Sequence, residues 1–310
     1  MIRYHNRNSN RVETEKVYGG SFVNLAYQNP FVFFLTKTLF AKPWLSRIIG
    51  AYEDSKASVS RIAPFIQQYE INMDEYEPQD FQSFNEFFIR KFKSGKRPFQ
   101  SSTEVFCAGA EARYLAFENI SANSRVKVKG IDVSISELFG HTKEAHALAQ
   151  EFDGGTVIIA RLCPVDYHRY HFPCSGKVLH QYRVGGLLHS VNPVALKTEP
   201  AVFLQNERQV CIFHNEQFGN VAMIEVGALG VGKIVQSYSD QDYVGSSFEK
   251  GDEKGYFLFG GSTVIWVLKK NTVQLAQDLT TNSTSNEEII ETWIPLGDKL
   301  GELRRESGRA

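Results

Sequence analysis

The chain has 310 residues, 42% of them apolar and 22% charged, and its 34 Lys and Arg nearly balance 35 Asp and Glu for a formal net charge of −1. That is enough chain for a substantial core in one large domain or two smaller ones, and the composition is globular rather than that of an overall nucleic-acid binder. Cys107, Cys163, Cys174 and Cys211 form no CxxC pair and the eight histidines show no zinc-ligand spacing, so reduced, packed cysteines in a cytosolic setting and no metal are expected.

The first fifty residues hold seven Lys or Arg against only Glu13 and Glu15. Met1 to Arg11 is polar and carries three arginines, unlike a secretory signal. Phe22 to Ile49 contains no acid, and FVFFL at Phe31 to Leu35 is strongly apolar. Asn29, Pro30, Lys37, Lys42 and Pro43 interrupt this region far short of the roughly 20 apolar residues that span a bilayer. Two readings stay open: a basic amphipathic segment on an anionic membrane surface, or a helical extension packed on the body. Ser46 to Gln68 predicts one or two helices interrupted near Pro64. Between Tyr76 and Pro98, Phe81, Phe84, Phe87 and Phe88 recur at helical spacing, predicting an amphipathic helix that ends near Gly95 and Pro98.

From Val105 the texture changes to short apolar runs separated by glycine and polar residues. VKVKGIDVSISELFG predicts a strand, a turn and a short helix around Ser134 to Phe139. GGTVIIARL, HFPCSGKVLHQYRVGG, RQVCIFHN and NVAMIEVGA read as successive strands, followed by VGKIVQSYS and the arms FLF and TVIWVLKK. TTNSTSN at Thr280 to Asn286 reads as an exposed loop, and Glu287 to Leu300 as a short terminal element. The expected class is α+β: a basic, helix-rich, membrane-proximal region over 1–100, then a β-rich, sandwich-like catalytic body over 101–310.

Four places are able to carry chemistry. LCPVDYHRYHFPCSG holds His168 and His171, imidazoles that change protonation near neutral pH, with Asp166 to orient one of them or to cap a turn. Glu111 sits in the small, apolar stretch CAGAEARYLAF, either steadying a histidine or facing water. In FLFGGSTVIWV, Gly260 and Gly261 interrupt an apolar run beside the hydroxyls of Ser262 and Thr263, where a strand interior normally loses stability with glycine. KGDEKGYF, just before it, reads most simply as a solvated turn. His141 and His146 do not make HExxH; His189, beside SVNP, is a candidate for lining a substrate cleft.

FNEFFIRKFKSGKRPF (84–99), PVDYHRYHFPCSG (164–176), SVNP (190–193), NVAMIEVGALGVGKI (220–234) and KGDEKGYFLFGGST (250–263) occur in an order that resembles phosphatidylserine decarboxylase proenzymes over nearly the whole chain. The resemblance implies self-cleavage between Gly261 and Ser262: the serine attacks the preceding carbonyl, an N-to-O acyl shift gives an ester, and β-elimination leaves a pyruvoyl group at position 262. It assigns His171 to activating Ser262 and His168 to protonation during decarboxylation, with the pyruvoyl carbonyl as electron sink. Where the family carries an Asp-Gly pair for the processing carboxylate, this chain has Glu111 and Ala112, one methylene longer and less permissive, implying slower maturation.

The implied reaction converts phosphatidylserine to phosphatidylethanolamine and carbon dioxide, on a phosphatidylserine-containing membrane. Implied with it are a peripheral position at the bacterial cytoplasmic face, association of the two cleavage products and a possible homo-oligomer, with no nucleic-acid partner. The alternatives are a related decarboxylase for another primary amino acid and a lipid-binding pseudoenzyme that never matures.

Overall fold

The computed structural model describes residues 2–16, 43–122, 126–128, 131–188, 201–228, 233–238, 243–260, 262–285 and 288–305. The apolar FVFFL stretch, His189, SVNP and Gly261 lie outside them.

Most of the strands read from the sequence join one ten-stranded sheet. At its centre Ser262–Leu268 pairs antiparallel with Gly219–Val226 on one side and with Gly155–Leu162 on the other. All seven residues of the central strand are buried, which explains a run without charge: a strand covered on both faces has no polar face to show. Beyond Gly219–Val226 the sheet continues through Arg208–Asn215 and Gly176–Val184, and beyond Gly155–Leu162 through Ala112–Ile120 and Glu291–Ile294. A separate three-stranded sheet, Ile234–Gln236, Glu253–Phe257 and Arg169–His171, brings the KGDEKGYF segment beside the two histidines.

The structure departs from the sequence expectations in four places. Arg3–Asn6 and Arg11–Thr14 are strands, and Arg3–Asn6 lies parallel to Glu291–Ile294, so the N-terminus extends the body's sheet rather than belonging wholly to a helical front. Pro64 does not break Ile62–Tyr69; it stands in the first turn, where a backbone N–H has no helical acceptor to lose. The phenylalanine-rich helix is only Phe84–Phe88, with Ser83 Oγ capping its start by accepting from the Glu86 N–H at 3.2 Å. Most of TTNSTSN belongs to the helix Gln277–Thr284, whose buried Ser283 Oγ accepts from the Ala116 N–H at 2.9 Å. Tertiary docking there overrides a weakly helical composition.

Phe84, Phe87 and Phe88 are fully buried with Ile62, Phe65 and Phe259 in a cluster separate from the main core. The short helix thereby packs directly on the segment that precedes Ser262.

Candidate active site

Ser262 opens the central strand opposite Leu162 and is fully buried. His168, also fully buried, places Nδ1 3.2 Å from Ser262 Oγ, and its Nε2 is 2.8 Å from the Cys163 carbonyl oxygen. A carbonyl only accepts, so Nε2 carries the proton and the Nδ1 lone pair receives the serine hydroxyl. Burial pushes the His168 pKa down to about 3, which keeps the ring neutral at pH 7 and able to take a proton. Phe88 stacks on the imidazole at 3.9 Å between centroids and fixes its plane.

Behind the histidine, Asp166 Oδ2 accepts from the Cys163 N–H at 2.7 Å and from Arg113 Nη1 at 2.6 Å, and the Asp166 N–H returns to the Cys163 carbonyl at 2.8 Å. This tight turn aims the carbonyl that sets the His168 tautomer. Arg113 lies directly opposite Arg161 across neighbouring strands, an arrangement that repels unless acids intervene. Glu15 lies between them, 3.0 Å from Arg113 Nε and 2.7 Å from Arg161 Nη2, and Glu291 takes a further Arg161 contact at 2.6 Å. Burial alone would raise the Glu15 carboxyl, but Arg161 and Arg113 together hold it down to about 2.

On the other side of Ser262, Gly260 has φ +141, a conformation that L side chains rarely adopt, which accounts for one of the two glycines. The Phe259 N–H donates to Asn85 Oδ1 at 2.7 Å.

His171 is held differently from His168. Its Nδ1–H donates to the Gly251 carbonyl at 2.8 Å, Tyr167 Oη lies 3.4 Å from Nε2, and its backbone N–H donates to Gly109 O at 2.7 Å. A Cβ on Gly109 would stand 2.4 Å from the His171 carbonyl oxygen, so this close approach needs glycine. Burial lowers the His171 pKa as well. Glu111 does not reach out to His171; its carboxylate accepts from Arg97 Nε at 2.6 Å, and Arg97 also meets Glu75 at 2.8 Å. Burial raises the Glu111 carboxyl despite the opposing pull of Arg97. The connection to the histidine loop is indirect: Arg97 lies over Phe92 at 4.3 Å, and Phe92 packs on Tyr167 at 4.4 Å.

The KGDEKG segment is more than a solvated turn. Lys254 is completely buried in an ion pair with Glu225 at 2.8 Å, and Gly251 supplies the acceptor for His171. Among the described residues, no group of three or more His, Cys, Asp or Glu is placed to hold a metal ion.

The sequence signature described as phosphatidylserine decarboxylase matches residues 84–290. The phosphatidylserine decarboxylase proenzyme of Clostridium botulinum (strain Kyoto / Type A2) is 39% identical over 303 residues, covering 97% of this chain and 99% of the relative. The chain belongs to the phosphatidylserine decarboxylase family. Proenzymes of the same name from Ruminiclostridium cellulolyticum and Clostridium tetani are each 39% identical over 303 residues, covering 97% of this chain and 97% and 98% of the relatives. Within the phosphatidylserine decarboxylase signature lie Asn85, Glu111, Cys163, Asp166, His168, His171 and Ser262, whereas Glu15 stands outside it. Sequence reading missed Asn85, the Cys163 carbonyl and the Arg113–Glu15–Arg161 set. Only Asn85 had a visible signal, as a polar residue between phenylalanines that recur on a buried face.

Proposed function

We propose that this decarboxylase is made as a self-processing precursor, that residue 262 becomes its pyruvoyl group, and that the matured protein converts phosphatidylserine to phosphatidylethanolamine and carbon dioxide. The observation that carries the proposal is the contact of Ser262 Oγ with His168 Nδ1 at 3.2 Å, with the ring neutral and its tautomer fixed.

His168 takes the hydroxyl proton as Ser262 Oγ forms a bond to the Gly261 carbonyl carbon. The carbon–nitrogen bond breaks, and the amide nitrogen leaves with a proton as the amine of residue 262. Loss of the residue 262 α-proton then expels the Gly261 carboxylate and leaves dehydroalanine. Its enamine tautomerises to an imine, and water releases ammonia. The surroundings suit the resulting group: the site is buried, His168 is within hydrogen-bond reach of position 262, and the neighbouring Thr263 Oγ1 is buried without a hydrogen-bond partner among the described residues. A pyruvoyl group supplies an electrophilic carbonyl for the substrate amine and a sink for the electrons released with carbon dioxide. His168 holds or returns a proton at that position.

In this reading the processing role expected for His171 passes to His168, and His171 braces the turn through Gly251 and Tyr167. Glu111 supports that brace through Arg97. The two products stay associated because Ser262–Leu268, in the shorter fragment, is hydrogen-bonded on both sides by strands of the longer one. Access to lipid is peripheral. No helix among the described residues is long and apolar enough to cross a membrane, while Ile48 and Tyr52, one helical turn apart on Pro43–Glu53, are 60% and 46% exposed.

A vesicle assay tests the substrate. The purified protein should release carbon dioxide from phosphatidylserine but not from free serine or other soluble amino acids, and Ser262→Ala should stay one chain and release none. Equal turnover of a soluble amino acid would overturn the lipid assignment.

A further inference from the structure

We infer that Asn85 is a positioning residue for self-cleavage, the side chain that holds the segment before the scissile bond in register with Ser262. The inference rests on the self-processing reading above and adds to it the group that fixes the electrophile's side of the reaction.

Asn85 is 2% exposed, and both ends of its amide are engaged. Oδ1 accepts from the Phe259 N–H at 2.7 Å, and Nδ2 donates to Asp54 Oδ1 at 2.7 Å. The partners fix the orientation of the amide, since a backbone N–H only donates and a carboxylate only accepts. Phe259 is three residues before Ser262, so this bond fixes the chain two residues before the carbonyl that is attacked. The Phe259 ring is held as well, edge-on to Phe84 and Phe88 at 5.2 Å each, with the Arg61 guanidinium 5.4 Å from its centroid. Phe88 also stacks on His168. One five-residue helix therefore grips both sides of the reaction, the base through Phe88 and the electrophile's segment through Asn85. Gly260, at φ +141, gives the intervening chain little side-chain packing of its own to set its path, so an external anchor is needed.

The helix is itself fixed from the N-terminal side. The Phe84 N–H donates to Ser58 Oγ at 2.8 Å, and the Ser58 hydroxyl in turn faces the Ser55 carbonyl at 2.7 Å and the Glu53 carbonyl at 3.0 Å, on either side of Asp54. A misplacement of about 1 Å in a reacting group can slow a reaction about 100-fold. Loss of the Asn85 acceptor acts on the attack of Ser262 Oγ on the Gly261 carbonyl carbon, the step that exchanges the amide for an ester.

The test uses the full chain made in a cell-free pulse and chased on gels, with and without hydroxylamine to cleave the ester as it forms. Asn85→Leu should slow both the spontaneous and the hydroxylamine-dependent cut by about 10- to 100-fold. Asn85→Asp keeps the acceptor for Phe259 but sets two carboxylates against each other, and should also be slow. Combining it with Asp54→Asn reverses the amide and the acid, restores both hydrogen bonds, and should bring cleavage back to within about threefold of wild type. Because that exchange restores stability as well as position, denaturant melts accompany the gels: a positioning role leaves Asn85→Asp folded while its cleavage is slow, a loss of cleavage that only tracks the unfolded fraction would overturn it, and the single and double variants decide the matter even if Asn85→Leu fails to fold. Wild-type cleavage rates in Asn85→Leu, or a double variant that cuts no faster than Asn85→Asp, would overturn the inference. A wild-type chain that stays uncut would overturn the self-processing reading and this role with it.

Discussion

His168 meets Ser262 through Nδ1, at 3.2 Å, because its Nε2 is committed to the Cys163 carbonyl at 2.8 Å. The same carbonyl accepts from the Asp166 N–H, so the turn 163–166 determines which nitrogen is free. A serine hydroxyl is a poor nucleophile at neutral pH, and a neutral imidazole held within hydrogen-bond reach is placed to take its proton as the new bond forms. His168→Ala should therefore slow cleavage at 261/262 by about 100-fold or more, judged by timed gels. His171→Ala should slow it less; the reverse order would return the processing role to His171.

The pH dependence follows from the His168 environment. Its folded pKa is lowered from 6.5 to about 3, so the neutral base is present throughout the range in which an exposed histidine would protonate. Cleavage rate should stay nearly flat from pH 7.5 to about 5 rather than halving near 6.5, a profile measurable by pH-jump of freshly translated precursor. A half-maximal point at 6.5 would mean that the acting base is not the buried ring.

Glu15 links the N-terminus to the histidine turn. Its folded pKa of about 2 lies below the ordinary 4.5, so its stabilisation is present above 4.5 and is lost as pH falls through about 2. Glu15→Gln should lower stability at pH 7 by about 3 kcal/mol, and the gap from wild type should begin to narrow below pH 4.5. Denaturant melts at several pH values check this; a gap that widened towards acid would contradict the assignment.

Glu111 reaches the histidine loop through Arg97, Phe92 and Tyr167 rather than directly. Glu111→Ala and Arg97→Ala should each slow cleavage several-fold, and the double variant should be no slower than the slower single one. Additive losses would show that the two side chains act independently.

The exposed pair Ile48 and Tyr52 offers an apolar contact for a lipid surface. Replacing both by serine should weaken sedimentation with phosphatidylserine vesicles about tenfold. Undiminished binding would move the contact elsewhere.

The alternation of apolar and polar runs made the β-rich body legible, because each run had to bury one or both faces. GGST was legible as an anomaly for the same reason: two glycines in an apolar strand had to serve something other than packing. The histidine pair was legible, but not which ring meets Ser262. That choice depends on the Cys163 carbonyl, and a backbone acceptor leaves no mark in residue identity. Glu111 read as a partner for a histidine because the sequence does not show that Arg97, fourteen positions earlier, is nearer. Asn85 was hidden by its neighbours, whose helical spacing was explained by the core alone. The strands at Arg3–Asn6 and Arg11–Thr14 depend on pairing with Glu291–Ile294 at the other end of the chain, beyond the reach of local periodicity.

The most direct test is the intact mass of the purified protein before and after treatment with a carbonyl-directed reagent. Two fragments are expected, 1–261 and 262–310, the shorter with a pyruvoyl group in place of its serine and gaining the mass of one reagent molecule. A single uncut chain that decarboxylates phosphatidylserine with Ser262 intact would contradict it.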